Sequence, residues 1–125
     1  MMDTSPDWSL YPDFSREEFV CSCGCNRAEM QPAFLERLQA LRNRVGPLKV
    51  TSGFRCEQHP VEARKSKPGA HAFGLAADVR AMQAGRYAVV LAAFDQEFRG
   101  IGVARNFVHL DVGHPHQARP ALWSY

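Results

Sequence analysis

Apolar residues are spaced three to four apart in some segments of the chain and two apart in others. This change of period indicates both helices and strands, which restricts the fold to classes that contain both. Residues 32–45 and 87–98 carry the helical spacing, whereas residues 75–80 and 107–112 alternate as half-buried strands do. The 125 residues suffice for one domain with a modest core, because independent domains usually run to roughly 100–150 residues. We therefore predict a single α+β domain over residues 1–125, with a small antiparallel sheet packed against helices.

The first long helix is bounded by residues suited to helix ends. Pro32 fits the first helical turn and Gly46 fits the position after the last one, which predicts a helix over Pro32 to Val45. Its apolar stripe is Phe34, Leu38, Leu41 and Val45. Ser15 and Glu18 form a capping-box pattern, which predicts a short helix directly after Ser15.

A second long helix is predicted upstream of Gly100, with one apolar stripe that we expect to face the core. The stripe consists of Tyr87, Val90, Leu91, Phe94 and Phe98. A short strand is expected at residues 48–52, and a hairpin is expected to join residues 100–103 to the last strand through a turn at 104–106. The tail, residues 113–125, has no period of its own.

The aperiodic segment 53–70 is rich in charge, Gly and Pro, and so long a loop in a small domain is more often functional than not. By contrast, residues 1–14 are expected to form an irregular N-terminal segment. Residues 1–10 have neither a basic start nor an apolar run, which predicts no secretory signal and a chain that is cytoplasmic as synthesised. The longest apolar stretch, residues 87–94, is too short for a bilayer, which needs about 20 residues, so no membrane insertion is expected.

Charge is nearly balanced along the chain. Fifteen Lys and Arg residues stand against thirteen Asp and Glu, a formal net charge of +2. A scattered charge of that size does not attract nucleic acid or an anionic membrane by its field alone. We expect a monomer that binds no nucleic acid.

Four cysteines are unevenly placed. Cys21, Cys23 and Cys25 lie within five residues, and Cys56 follows much later. They contain enough thiols for a tetrathiolate zinc site, but structural zinc sites favour paired knuckles, and ligands at i, i+2 and i+4 strain a tetrahedron. A bridge from one of the three to Cys56, or four reduced thiols, are the alternatives. The spacing does not choose between them.

Three polar side chains are expected on one face of the sheet. His109 and Asp111 share a face of their strand, and Asp78 faces opposite to the apolar residues of its own. Gly74 lets the chain turn between His71 and Asp78, so that both can converge. Two imidazoles and a carboxylate are the three protein ligands with which catalytic zinc keeps a fourth position open. The alternative is that each is an ordinary surface or hydrogen-bonded residue.

Arg55 follows a predicted strand directly. It suits bidentate binding of a carboxylate or stabilisation of an oxyanion, and it also suits the role of a plain surface cation. His59, His114 and His116 are weaker candidates, each expected to be solvated rather than catalytic.

Four motifs occur in the order that is seen in zinc D-Ala-D-Ala carboxypeptidases and related peptidoglycan peptidases, and the chain resembles these enzymes from about Ser15 to its end. The motifs are S-G-F-R-C at 52–56, H-A-F-G-L-A-A-D at 71–78, G-I-G-V at 100–103 and F-V-H-L-D-V-G at 107–113. The early stretch E-E-F-V-C-S-C-G-C at 17–25 and the closing Trp123 resemble the phage-type and prophage-type members.

The resemblance implies an α+β domain similar to these peptidases and to the hedgehog signalling domain, with one zinc ion held by His71, Asp78 and His109. It implies that Arg55 binds the substrate carboxylate or carbonyl. The expected function is hydrolysis of peptidoglycan stem peptides at or near D-Ala, either as a D-Ala-D-Ala carboxypeptidase or as an endolysin of phage or prophage origin that reaches the cell wall after release. The resemblance also leaves open a zinc-binding module, in the cell wall or a virion, that has lost turnover.

The sequence departs from the family pattern at two positions. Several members have an acidic residue three positions before the last histidine ligand, where this chain has Asn106, which cannot act as a base. Asp111 is the substitute base, with orientation of an imidazole as its alternative role. Gly69 stands where many relatives carry a serine, which affects substrate orientation rather than metal binding.

Overall fold

The computed structural model describes residues 5–125 as a five-stranded sheet with helices packed on one face. In chain order the strands are β1 (Val50–Ser52), β2 (Ala76–Arg80), β3 (Gly100–Val103), β4 (Phe107–Asp111) and β5 (Ala121–Ser124). The α-helices are α1 (Pro32–Val45), α2 (Pro60–Ala63) and α3 (Ala84–Asp95), and 3-10 helices span Trp8–Leu10, Arg16–Phe19 and Ala70–Phe73. The predicted α+β class is confirmed.

The strand order is β1-β2-β4-β3-β5, which places β2 and β4 at the centre. All neighbouring pairs are antiparallel except β3 and β5, which run parallel at one edge. In the central pair Asp78 lies directly opposite His109, and Ala76 lies opposite Asp111. The register therefore puts the polar residues of both strands on one face.

The other face of the sheet is the core. Ala77, Val79, Val108 and Leu110 point into it and are fully buried. Helix α1 packs against α3, and α3 packs against β3 and β4. Alternation along β2 and β4 thus separates an apolar face under the helices from a polar face that is free to form a site.

Helix α1 has the predicted bounds. Gly46 ends it with a positive φ of 93°, and its N–H donates to the carbonyl of Arg42. Ser15 and Glu18 form the predicted capping box, which starts the 3-10 helix Arg16–Phe19. The local signals at helix ends were sufficient here because they depend only on neighbouring residues.

The predicted core stripe of the second long helix is wrong at three of its five positions, whereas Phe98 is buried in the core and Val90 packs against it. Tyr87, Leu91 and Phe94 are 73%, 53% and 55% exposed, whereas the buried residues of α3 are Val89, Ala92 and Ala93. Small side chains let the helix lie close to the sheet, and the bulky ones point outward. The helix also ends at Asp95 rather than at Gly100, which instead begins β3.

The aperiodic tail contains a strand that the sequence analysis did not predict. Residues 121–124 form β5 and pair with β3, so that Trp123 lies beside Gly102. At the other end, Tyr11 and Phe14 are buried in the core although most of residues 5–14 is irregular apart from the turn at Trp8–Leu10. The first four residues of the predicted N-terminal segment lie outside the described part. Within residues 5–125, no helix is long and apolar enough to cross a membrane.

Candidate metal centre

Three elements bring His71, Asp78 and His109 to one point on the polar face of the sheet. Asp78 belongs to β2, His109 to β4, and His71 to the 3-10 helix that precedes β2. One oxygen or nitrogen from each lies within 4.8 Å of the others. The distances from Asp78 Oδ1 to His71 Nε2 and to His109 Nδ1 are both 3.3 Å. All three side chains are buried.

Gly74 explains how a residue seven positions before Asp78 can meet it. Its φ of 69° lies in the left-handed region, where its N–H donates to the carbonyls of Ala70 and His71 and ends the 3-10 helix. A side chain at this position would overlap the backbone of Glu29. The glycine therefore both reverses the chain and allows the close approach.

A hydrogen bond fixes the tautomer of His71. Its Nδ1 lies 2.8 Å from the carbonyl oxygen of Gly53, and because a carbonyl can only accept, Nδ1 carries the proton. The lone pair of neutral His71 is then on Nε2, the atom that faces Asp78. This is the arrangement of a metal-ligating imidazole, whose outer N–H binds a backbone carbonyl.

His109 is fixed in the opposite sense. Its Nε2 lies 2.7 Å from Asp111 Oδ2, so Nε2 donates to the carboxylate and Nδ1 faces Asp78. The rings of His71 and His109 meet edge to face with centroids 5.2 Å apart. Both imidazoles therefore direct one nitrogen toward a shared point and use the other for orientation.

Asp111 is fully buried, and both of its oxygens are engaged. Oδ1 accepts from the Gly113 N–H at 3.1 Å and from Arg119 Nε at 3.0 Å. Oδ2 accepts from His109 and from the second guanidinium nitrogen of Arg119 at 2.9 Å. These contacts favour orientation of His109, the alternative role of Asp111.

The electrostatics of the cluster suit a cation. Burial lowers the pKa of His71 and outweighs the opposing effect of Asp78. Burial raises the pKa of Asp78, but the adjacent His109 and His71 rings outweigh burial, and the net pKa lies well below the usual value. Burial likewise lowers the pKa of His109, but the carboxylates of Asp111 and Asp78 on either side of the ring outweigh it, and the net pKa is raised. An ionised carboxylate between two imidazoles is a donor set that fits a divalent ion such as zinc.

Arg55 lies at the edge of this cluster. Its Nε donates to Ser52 Oγ at 3.1 Å, and one terminal nitrogen donates to Asp78 Oδ2 at 3.3 Å. The backbone N–H of Arg55 donates to the carbonyl of His71. The loop after β1 is thus bonded both to the ligand carboxylate and to the segment that carries His71.

The cluster borders an open cleft of about 340 Å³. The residues that line it include Arg55, Lys65, Phe107, His114, Gln117, Arg119, Trp123 and Tyr125. The Trp123 ring lies 5.2 Å from the His109 ring between centroids, and the guanidinium of Arg119 lies 5.1 Å from the Trp123 centroid. Sequence reasoning missed Arg119 and Tyr125, because they come from the aperiodic tail.

Other candidates lie elsewhere. His59 caps α2, where its Nδ1 accepts from the Val61 N–H, and it is not part of the cleft wall. His116 lines a neighbouring groove. Asn106 lies in the β3–β4 turn, where its carbonyl accepts from the Ala81 N–H, on the wall of a separate pocket. Only His114 of these joins the cleft.

The family model described as Peptidase M15 matches residues 12–111, which include the whole donor set. The chain belongs to the Peptidase M15 family. This confirms the resemblance to the zinc D-Ala-D-Ala carboxypeptidase type and makes the chain a hydrolase of the metallopeptidase class. No curated protein matches it. Within the M15 match, His71, Asp78 and His109 are the described groups that offer mixed nitrogen and oxygen ligands at a single point.

Proposed function

We propose that the chain is a zinc-dependent peptidase that hydrolyses cell-wall peptides at or near D-Ala, with one catalytic zinc held by His71, Asp78 and His109. The observation that carries the proposal is the convergence of three ligand atoms, with the other nitrogen of each histidine held by a hydrogen bond, on the wall of an open cleft. When bound, zinc would polarise the scissile carbonyl and lower the pKa of a water molecule.

Arg55 is proposed to bind the substrate. Its guanidinium lies on the cleft wall beside Asp78 and is held there by Ser52. A planar guanidinium pairs with a carboxylate through two parallel hydrogen bonds, so it can hold the free carboxyl group of a peptide that ends in D-Ala. This contact would bring the last peptide bond toward the donor set, because Arg55 lies beside Asp78.

His114 adds a hydrogen-bond donor to the cleft. Its Nδ1 accepts from the His116 N–H at 3.0 Å, so the proton of the neutral ring is on Nε2. Burial lowers the pKa of His114, with Arg119 acting in the same direction, which favours the neutral ring. A neutral imidazole with Nε2–H can donate to a carbonyl oxygen, and it cannot use that nitrogen as a base.

The base predicted from the sequence, Asp111, stays a prediction. Its carboxylate already accepts five hydrogen bonds, which supports a role in orienting His109. Asp78 is the one carboxylate among the described residues of the cleft wall. This observation favours the second candidate function, a module that binds zinc and wall peptide without turnover.

One comparison separates the two functions. Native protein, His109→Ala and the matched control His116→Ala are incubated with zinc and either purified peptidoglycan or a peptide ending in D-Ala-D-Ala, and released D-Ala and new amino groups are measured by mass spectrometry. A peptidase gives product with the native protein and His116→Ala and a loss of at least about 1,000-fold with His109→Ala. Equal, negligible product from all three proteins, with zinc bound to the native one, would support the binding module.

Two further properties are proposed, the first from the sequence and the second from the resemblance. We propose that the protein acts as a monomer, and that it works on the wall after release from the cell, as a phage or prophage enzyme would. A single mass of one chain by light scattering is expected across the concentrations used for the assay. A concentration-dependent dimer would contradict the first proposal.

A further inference from the structure

A second cluster of metal-ligating side chains lies outside the cleft. The sulfurs of Cys21, Cys23, Cys25 and Cys56 all lie within 4.8 Å of one another. Cys56 Sγ is 3.7 Å from Cys21 Sγ and 3.2 Å from Cys23 Sγ, and all four thiols are free. Cys21 and Cys56 are buried, while Cys23 is exposed.

The spacing of the sulfurs fits one shared ion. Four sulfurs that each lie about 2.3 Å from zinc in a tetrahedron are about 3.8 Å from one another. A disulfide would join two sulfurs at about 2.05 Å and would leave the other two apart. Here each sulfur is near the other three at once, which a shared cation explains and pairwise bridges do not.

A backbone N–H donates to one of the buried sulfurs. The N–H of Cys56 donates to Cys21 Sγ at 3.3 Å. Such bonds stabilise thiolates and orient them, as the outer partners of metal ligands do.

The backbone of the loop that carries three of the cysteines allows these closely spaced residues to surround one ion. Gly24 and Asn26 have positive φ values of 97° and 59°, so the backbone changes direction twice within the loop. The N–H of Cys21 donates to the carbonyl of Arg27 at 2.8 Å and closes the loop on itself. Ligands at i, i+2 and i+4 would strain a tetrahedron on a regular backbone, and this backbone is not regular.

We propose that Cys21, Cys23, Cys25 and Cys56 bind a second, structural zinc ion through four thiolates. The ion would join the loop of residues 21–27 to the loop that follows β1. Four thiolates with no open position make a closed site, which contributes to stability rather than to chemistry. The expected content is then two zinc ions per chain, one more than the sequence predicted.

The proposed ion would also support the catalytic cleft. Cys56 is adjacent to Arg55, and three residues earlier the carbonyl of Gly53 orients His71. The N–H of Phe54 in the same loop donates to the carbonyl of Phe19, just before the cysteine loop. A cation that holds this loop at Cys56 would therefore also hold the Gly53 carbonyl and the Arg55 side chain, which the loop supplies to the cleft. The thiolate site shares no residue with the donor set of the cleft, so either proposal can fail alone.

The test measures zinc content in three variants purified under reducing conditions. Native protein and the exposed matched control Ser22→Ala should contain two zinc ions per chain, and both Cys23→Ser/Cys25→Ser and His71→Ala/His109→Ala should contain one. With Co²⁺ in place of zinc, intense thiolate-to-metal charge-transfer absorption should remain in the histidine variant and be absent from the cysteine variant. One zinc in the native protein that is unchanged by the cysteine substitutions would overturn the proposal.

A second measurement uses native protein alone, so it holds even if the cysteine variant does not fold. Thiols of the native protein should react slowly with a thiol reagent and react at least 10-fold faster after a chelator removes zinc. Four thiols that react at the same rate with and without chelator would overturn the proposal. So would a protein mass two hydrogens lower than that of the fully reduced chain, which would reveal a disulfide.

Discussion

His109 lies between two carboxylates that do different things. Asp78 faces its Nδ1 at 3.3 Å, and Asp111 accepts from its Nε2 at 2.7 Å. Arg119 balances the charge of Asp111 through three hydrogen bonds, so that this buried carboxylate is paired with both Arg119 and His109. At the scale of single residues, the candidate metal ligands His71 and His109 are each held in one orientation by a hydrogen bond from the ring nitrogen that faces away from Asp78.

The substitution Asp111→Asn tests that arrangement. Without the negative charge the bond to His109 weakens, and zinc affinity measured by competition with a chelator should fall 10–100-fold. Activity at saturating zinc should fall less than affinity. Asp95→Asn, at an exposed ion pair with Arg44, is the control and should change neither. Unchanged zinc affinity with turnover lost would show that Asp111 is the base instead.

Arg55→Lys tests the substrate contact. Lysine keeps the charge and loses the planar pair of donors, and a charge-assisted hydrogen bond contributes about 1.5–3 kcal/mol. We expect KM to rise about 10-fold or more for peptides with a free terminal carboxyl and to change little for the same peptides amidated. Arg64→Lys, on an exposed residue, is the control. An equal effect on free and amidated peptides would contradict the assignment.

Glu62 orders the long loop before His71. It is 6% exposed, and it accepts from Lys65 Nζ at 2.8 Å and from the Gly69 N–H at 3.1 Å. Burial raises its pKa, but the bonds from Lys65 and Gly69 outweigh burial and the net pKa is lowered. A carboxylate whose folded pKa is depressed adds stability above its unfolded pKa of about 4.5 and loses it as pH falls through the folded value.

Glu62→Gln should therefore destabilise the protein by about 1 kcal/mol at pH 7, as judged from urea unfolding. The difference from native protein should shrink as pH is lowered below about 4.5 and vanish once the native carboxyl is protonated. Glu17→Gln, on an exposed residue, should match native protein throughout. A difference that is constant from pH 7 to pH 3 would show that the charge of Glu62 contributes nothing.

At the scale of elements, the two glycines of β3 shape the site because they leave space beside the strand. Gly100 lies opposite Asp111, and Gly102 lies between His109 on one side and Trp123 on the other. A Cβ on Gly100 would overlap the Asp111 carboxylate, and one on Gly102 would overlap the Trp123 indole. The two glycines leave the room in which the partner of His109 and the indole beside it sit.

Gly100→Ala should therefore damage stability and metal binding together. Overpacking of this kind costs about 1–3 kcal/mol, and displacement of Asp111 should lower zinc affinity as well. Thermal unfolding and chelator competition measure the two effects. Gly85→Ala is the control, since nothing lies within 4 Å of its added Cβ. Equal behaviour of the two variants would contradict this account of β3.

The sequence predicted most of the elements that carry the donor set. The spacing of apolar residues and the residues at the helix ends predicted helix α1, and the spacing also predicted the central strands. The alternation of polar and apolar residues predicted that Asp78 and His109 share a face of the sheet. Which face of α3 is buried does not follow from hydrophobicity, because packing distance selected Ala92 and Ala93 over larger side chains. Strand β5 pairs with a distant partner at the sheet edge and exposes Leu122, so no apolar alternation marks it.

Two site residues in the C-terminal tail could therefore not be predicted from the sequence. Arg119 and Tyr125 reach the cleft only because β5 returns along β3, a contact between residues far apart in sequence. The orienting bond from His71 to the Gly53 carbonyl was also beyond sequence reasoning, since it depends on the path of an aperiodic loop. The order of the motifs predicted which side chains come together, but the hydrogen bonds that orient them depend on the tertiary structure.

At the scale of the whole molecule, two clusters of ligands share one loop. The loop after β1 supplies Gly53 and Arg55 to the cleft and Cys56 to the thiolate cluster. Apolar packing of the helices on one face of the sheet leaves the other face free for the donor set. The proposed ions differ in kind, because the four-thiolate set is closed, whereas the three-ligand set opens onto a cleft.

We expect one cation to bind His71 Nε2, Asp78 Oδ1 and His109 Nδ1. Diffraction from zinc-loaded crystals on both sides of the zinc absorption edge tests it directly. We expect an anomalous difference peak about 2.0–2.2 Å from each of the three atoms, with space toward the cleft for a fourth ligand. Zinc-loaded crystals in which the three side chains are ordered and no anomalous peak lies between them would contradict it.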